Sequence, residues 1–212
     1  MGRIKSVDHV VAGMDLEGVR RHEPSTVTGQ EREAAVVVPV IDRPDGPALL
    51  FTKRADHLSD HPGQMSFPGG GREPEDADLK ATACREAEEE VGMRREELDF
   101  VGRLDDIETV TRYSVRPFVA RAPDREYVPG DQEVAEVAVL SLADLTDLDN
   151  YESERRDHPY YGDIRLHFFY VDGYTVWGAT ARIFVQFLEL TTDWEMPPEP
   201  DRRVERDADY PT

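Results

Sequence analysis

The chain runs to 212 residues and sets 45 Asp and Glu against 25 Lys and Arg, a formal net charge of −20. This length suits one well-buried domain with some decoration, and the acid excess excludes nucleic acid, whose binding needs a basic patch. With no stretch of about 20 apolar residues and no apolar run in residues 1–11, neither a membrane partner nor a secretory leader is expected, and the cytoplasm is the expected address.

Residues 1–33 mix charge with a few apolar positions and read as an N-terminal extension holding a short helix and a linker. A β-branched run at 34–41 predicts a strand, Arg43-Pro44-Asp45-Gly46-Pro47 a turn, and 48–52 the returning strand. A glycine-rich turn, Phe67-Pro68-Gly69-Gly70-Gly71, leads toward a helix that carries Arg85, Glu86, Glu89 and Glu90 and closes at Gly92. Alternation over 98–104 and β-branched content at 115–120 and 134–140 predict further strands. Residues 166–171 and 175–177 flank Asp172-Gly173, the signature of a tight hairpin. Ile183, Phe184, Phe187 and Leu188 then recur at helical spacing. Residues 196–212, rich in Pro, Asp, Glu and Arg, are expected to form a disordered tail. Strands alternating with two good helices give an α/β fold with a mixed sheet, a single domain over 34–195.

At about 100° per residue, Glu86, Glu89 and Glu90 fall on one side of their helix. Like charges at this spacing destabilise a bare helix by about 0.2–0.5 kcal/mol per pair. A divalent cation held by oxygen ligands would offset the repulsion; a solvated acidic face is the alternative. Ala83, Cys84, Ala87 and Val91 form an apolar stripe, so the helix has a core side, and Met93 is placed to fold back on its end. The glycine turn is suited to presenting amides to an anion. The lone cysteine, Cys84, reads as a small core hydrophobe rather than a nucleophile, since no Cys/His arrangement surrounds it. Without clustered His and Cys, Mg²⁺ or Mn²⁺ fits better than zinc.

Gly70 to Met93 resembles the Nudix box: Gly70 is its first glycine, and Arg85, Glu86, Ala87, Glu89, Glu90, Gly92 and Met93 fill its later positions. Asp76 stands where the general pattern has Glu, and eight residues rather than seven separate it from Arg85. Both departures resemble the coenzyme A pyrophosphatase branch. Leu49 to Arg54 and His61 to Gly70 resemble that branch's additional signature, with Ala55 and Ser59 where Ser and Arg are usual. Tyr174 to Ile183 resembles the closing strand-to-helix junction, so the likeness spans residues 34–190. It implies a Nudix-type α/β/α sandwich whose catalytic box is a loop–helix–loop beside a mixed β-sheet.

On this resemblance Glu86, Glu89 and Glu90 are metal ligands, with Glu86 alternatively the base that activates water. Glu133 is the favoured further acid from outside the box, and Glu136 the other candidate. Arg54 and His61 are expected substrate contacts, although a solvated arginine and an ordinary loop histidine are the alternatives. Gly69 and Gly70 let the backbone approach phosphates. Arg85 is expected to brace the helix through a carboxylate, and Asp76 to shape the loop and cap the helix.

The implied reaction is metal-dependent cleavage of coenzyme A or acyl-coenzyme A into 3′,5′-ADP and (acyl-)4′-phosphopantetheine. The alternatives are the same chemistry on ADP-ribose or a dinucleotide, and a nucleotide sensor of this fold that does not hydrolyse. An isomerase of the same fold would need a reactive cysteine in its pocket, where Cys84 is poorly placed. Lysine occurs only at positions 5, 53 and 80. So acidic and lysine-poor a chain points to a salt-rich cell, where screening makes such self-repulsion tolerable. A homodimer is left open.

Overall fold

A strand buried on both faces needs apolar residues at both parities, and Ala34 to Ile41 meets that condition. In the computed structural model, which describes residues 14–58, 62–109, 112–158 and 162–205, this run lies in β1 (Arg32–Arg43) at the centre of the fold. Ala35, Val37 and Ile41 enter one core, and Val38 and Val40 the other. Before it comes α1 (Glu17–Arg21), and after it β2 (Gly46–Arg54), β3 (Met65–Ser66), β4 (Gly69–Gly71) and α2 (Leu79–Val91). The chain continues through β5 (Asp99–Arg103), β6 (Ile107–Glu108), β7 (Tyr113–Ala122), β8 (Val134–Ser141) and α3 (Leu142–Thr146). It ends with β9 (Tyr151–His158), β10 (Gly162–Val171), β11 (Tyr174–Trp177), α4 (Gly178–Thr191) and β12 (Arg202–Val204).

The first sheet is mixed. β1 runs parallel to β7 along one edge, Arg32 opposite Tyr113 through Ile41 opposite Ala122. Along its other edge β1 is antiparallel to β2 only over Val40–Arg43. Beyond that point β1 and β2 part, and the segment Met65–Gly71 fills the gap: β3 bonds β2, β4 bonds β1, and the Val37 N–H donates to the Pro68 carbonyl at 2.8 Å. The glycine turn is therefore wedged between two diverging strands, held by main-chain bonds on both sides. β8 covers the far edge of β2, and β5 and β6 pair with β7.

The two faces are covered by different elements. On one, α2 lays Leu79, Ala83, Ala87 and Val91 against β1 and β7 together with Cys84 and Met93. On the other, α4 buries Ile183, Phe184, Phe187 and Leu188 beneath a second sheet, β11-β10-β9-β12. The β10–β11 turn has both Asp172 and Gly173 at positive φ, 52° and 82°, as a tight Asp-Gly hairpin requires. No helix among the described residues is long and apolar enough to cross a membrane.

Three segments depart from the sequence reading. Within residues 14–33, Leu16 and Val19 are buried in the main core and the Asp15 N–H donates to the Thr191 carbonyl at 2.8 Å, so α1 packs as part of the domain. Within 196–212, composition predicts a disordered tail, yet β12 pairs parallel with β9. Side chains supply what apolar residues do not: the Asp201 carboxylate accepts from the Ser153 N–H at 2.7 Å, and Arg202 pairs with Glu152 and Glu154 at 2.9 and 3.0 Å. β9 itself, Tyr-Glu-Ser-Glu-Arg-Arg-Asp-His, gives no hydrophobic pattern. Its inward Glu154 is 1% exposed and meets Arg156 at 2.7 Å as well as Arg202.

Candidate active site

α2 positions the acidic residues, and its ends are well fixed. Asp78 is its N-cap, accepting from the Ala81 N–H at 2.8 Å, an arrangement worth about 1 kcal/mol. Asp76, expected to be the cap, has another task. At the C-terminus Gly92 takes the left-handed conformation, φ 65°, and the Gly92 and Met93 N–H groups bond the carbonyls of Glu88 and Ala87. Met93 is fully buried, as the helix-end contact requires.

Asp76 is buried and gathers the preceding loop onto α2. Its carboxylate accepts from the Glu73 N–H and the Thr82 hydroxyl, each at 2.9 Å, and takes the Arg85 guanidinium in a two-pronged pair at 3.1 Å. The Arg85 fork holds this carboxyl at about 2, well below the usual range, despite burial. Arg85 also donates to the Gly71 carbonyl at 3.0 Å, and its remaining nitrogen lies 3.0 Å from both Glu86 and Glu89. It braces loop to helix, as expected.

Glu86 and Glu90 face the glycine turn. The Glu86 carboxylate lies directly over Gly70, where a Cβ would fall 2.5 Å from Oε1. The Gly69 N–H donates to Glu90 Oε2 at 3.1 Å. Glu90 is only 6% exposed, and burial pushes it up to about 8, with the charges of Glu86 and Asp131 adding and the Gly69 bond and Arg54 opposing. Burial also raises Glu86, with Arg85 opposing and Glu89 and Glu133 adding. Glu89 is more exposed, its outer position held by Arg85. Burial, with repulsion among these carboxylates adding, thus outweighs the positive charge beside them.

Among the other expected residues, Arg54 and Glu133 come to this cluster: Arg54 acts electrostatically on Glu90, and Glu133 on Glu86. They are joined through the backbone, since the Ala55 N–H donates to the Glu133 carbonyl at 2.7 Å. Glu136 is engaged elsewhere, by Lys53 at 2.8 Å and the Tyr174 hydroxyl at 2.9 Å. Arg116 is held by Asp106 at 2.7 Å. His61 lies outside the described residues. Sequence reasoning missed Asp131, whose Oδ1 accepts from the Glu133 and Val134 N–H groups and so shapes the loop, and Gly130, whose N–H reaches the Glu90 carbonyl at 2.8 Å. An Asp-x-Glu spacing before a strand was the available signal.

No group of three His, Cys, Asp or Glu side chains among the described residues stands in metal-holding geometry; Arg85 occupies the space between Glu86 and Glu89. The donor chemistry nevertheless fits a hard cation: three carboxylates lie on one helix, two of them raised chiefly by burial, and carboxylate oxygens are the donors such an ion takes.

Fold and site together define an α/β protein in which acids of one helix, Glu86 half-buried and Glu90 buried, face a glycine turn. The NUDIX domain family matches residues 31–161, and the chain belongs to it. The uncharacterized Nudix hydrolase NudL of Enterobacter sp. (strain 638) is 40% identical over 72% of this chain and 79% of its own length. NudL of Yersinia enterocolitica is 33% identical over 78% of this chain and 84% of its own. A MutT/nudix family protein from Enterococcus faecalis gives a TM-score of 0.49 at 14% identity, over 80% of this chain and 64% of that one. The chain is a Nudix pyrophosphohydrolase. Hydrolases of this family generally use divalent metal ions and act on small nucleotide derivatives.

Proposed function

We propose that this enzyme hydrolyses the diphosphate bond of coenzyme A or acyl-coenzyme A, giving 3′,5′-ADP and (acyl-)4′-phosphopantetheine, with Mg²⁺ or Mn²⁺ held by Glu86, Glu89 and Glu90. The observation that carries it is the closure of Glu86 and Glu90 onto Gly70 and Gly69, which puts carboxylates and main chain within reach of one diphosphate. The upstream signature at Leu49–Arg54 supports the choice of substrate, and the acid-rich, lysine-poor composition supports a salt-rich cytoplasm.

The cation, when bound, neutralises phosphate charge and lowers the barrier to attack by water. The protein's own part is positional. Gly69 orients Glu90 through its N–H, and Gly70 leaves room for Glu86 and for the phosphate beside it. Arg85 keeps the loop closed on the helix by its grip on Asp76 and Gly71. Glu133, on the loop entering β8, takes the proton of the attacking water. The water oxygen bonds to one phosphorus, and the bridging oxygen leaves with the other phosphate. Arg54 counters the charge of the bound diphosphate.

The test is turnover by the full chain with Mg²⁺ or Mn²⁺ in high salt, offered coenzyme A, ADP-ribose and a dinucleotide, with products identified by mass. Faster cleavage of coenzyme A supports the proposal. Faster cleavage of ADP-ribose or the dinucleotide would leave the chemistry in place and reassign the substrate.

A further inference from the structure

A second feature adjoins the glycine turn. Glu31, Arg32, Glu33, Gly71, Arg72 and Tyr113 line an open pocket of about 330 Å³, within the usual range for small-molecule sites. It is contiguous with the acidic cluster: Gly71 follows Gly70 in β4 and gives its carbonyl to Arg85.

Tyr113 is held firmly at the start of β7, its N–H donating to Thr109 Oγ1 at 3.1 Å and its carbonyl accepting from the Thr109 N–H at 3.0 Å. From there the ring reaches across the end of β1, so that a Cβ on Gly71 would touch it at 3.8 Å. The Arg32 guanidinium lies over the ring, 5.5 Å from its centroid. Arg72, which also lines the pocket, is fixed by Glu33 at 2.9 Å. The pocket thus offers flat π surfaces, carboxylate acceptors and two guanidinium groups, one residue from the turn that faces Glu86.

We infer that this pocket is the nucleobase subsite: the base of the substrate stacks against Tyr113 and Arg32, with Glu31 or Glu33 accepting from an exocyclic amino group and Arg72 beside the sugar-phosphate. Flat rings recognise bases whatever the leaving group, and carboxylates favour an amino-bearing base such as adenine. This rests on the reading of the acidic cluster as a nucleoside-diphosphate hydrolase site, and it fixes which end of the substrate lies toward β1.

The experiment is equilibrium binding of AMP and of 3′,5′-ADP to the full chain, without divalent metal, for wild type, Tyr113→Phe and Tyr113→Ala. Base stacking sets the expected effect: roughly tenfold weaker binding in Tyr113→Ala, and a change under about threefold in Tyr113→Phe. In turnover assays Tyr113→Ala should raise KM with kcat little changed, whereas a merely structural role would lower kcat and the melting temperature together. Equal affinity in wild type and Tyr113→Ala, or no nucleotide binding by wild type, overturns the subsite. A wild type that binds AMP through Tyr113 but cleaves ADP-ribose rather than coenzyme A would keep the subsite and overturn only the proposed substrate.

Discussion

Gly70 lies so close beneath Glu86 that a methyl group there would come within 2.5 Å of the carboxylate. The obstructing atoms are the end of a flexible side chain, so Gly70→Ala should cost under about 1 kcal/mol of stability while pushing Glu86 out of place. A shift of that size at a reacting centre can cost about 10²-fold in rate. At Gly69 the obstruction is main chain, the Ala35 carbonyl at 2.3 Å. Gly69→Ala should therefore lower the melting temperature markedly, as Gly70→Ala should not. Thermal melts and kcat for both variants check the contrast.

The Arg85–Asp76 fork predicts a stability effect separable from the chemistry. Asp76→Ala leaves a partly buried guanidinium without its main partner and strips acceptors from Thr82 and Glu73, which should cost about 2–4 kcal/mol. Chemical denaturation of wild type and variant measures it. A cost below about 1 kcal/mol would show that the fork does not hold the loop.

Two groups set opposite ends of an acid-stability profile. Burial, with the charge of Arg165 adding, lowers His167 to about 4, and its Nδ1 meets the Tyr151 hydroxyl at 2.8 Å. The unfolded chain takes up this proton near pH 6.5, so stability should fall as pH drops from 6.5 to 4, by up to about 3 kcal/mol. Asp76, lowered to about 2, contributes stability that is complete above pH 3.8 and lost between there and 2. His167→Gln should flatten the upper window and leave the lower one intact; melting curves across both windows read the difference.

How far these features were legible varies with how local their causes are. β1 could be read from its continuous β-branched run and α2 from apolar positions at the helix period, and Gly92 ends α2 as its left-handed conformation allows. β9 and β12 could not, because Glu154 is satisfied by Arg156 beside it and by Arg202, 48 residues away. Asp76 and Asp78 are two short acids before one helix, and spacing alone does not say which caps it; the distant Arg85 decides by taking Asp76. Likewise spacing does not show that Arg116 is committed to Asp106, ten residues before it in the chain. Tyr113 gave no signal, since its proximity to Gly71 depends on β7 lying beside β1.

The charge of −20 makes a salt prediction. Raising ionic strength from about 0.1 M to about 1 M shortens the Debye length from about 10 to about 3 Å, which should relieve self-repulsion and raise the melting temperature. A melting temperature that is flat or falls with added KCl would remove the case for a salt-rich cell.

The direct test of the acidic cluster is Glu90→Gln, which keeps the shape and the Gly69 contact while removing a ligand charge. With Mn²⁺ and the substrate identified by the turnover screen, kcat should fall by about 10³-fold or more, as loss of a principal charge-stabilising group does, while the melting temperature holds. A variant that still hydrolyses the diphosphate within tenfold of wild type would contradict the account.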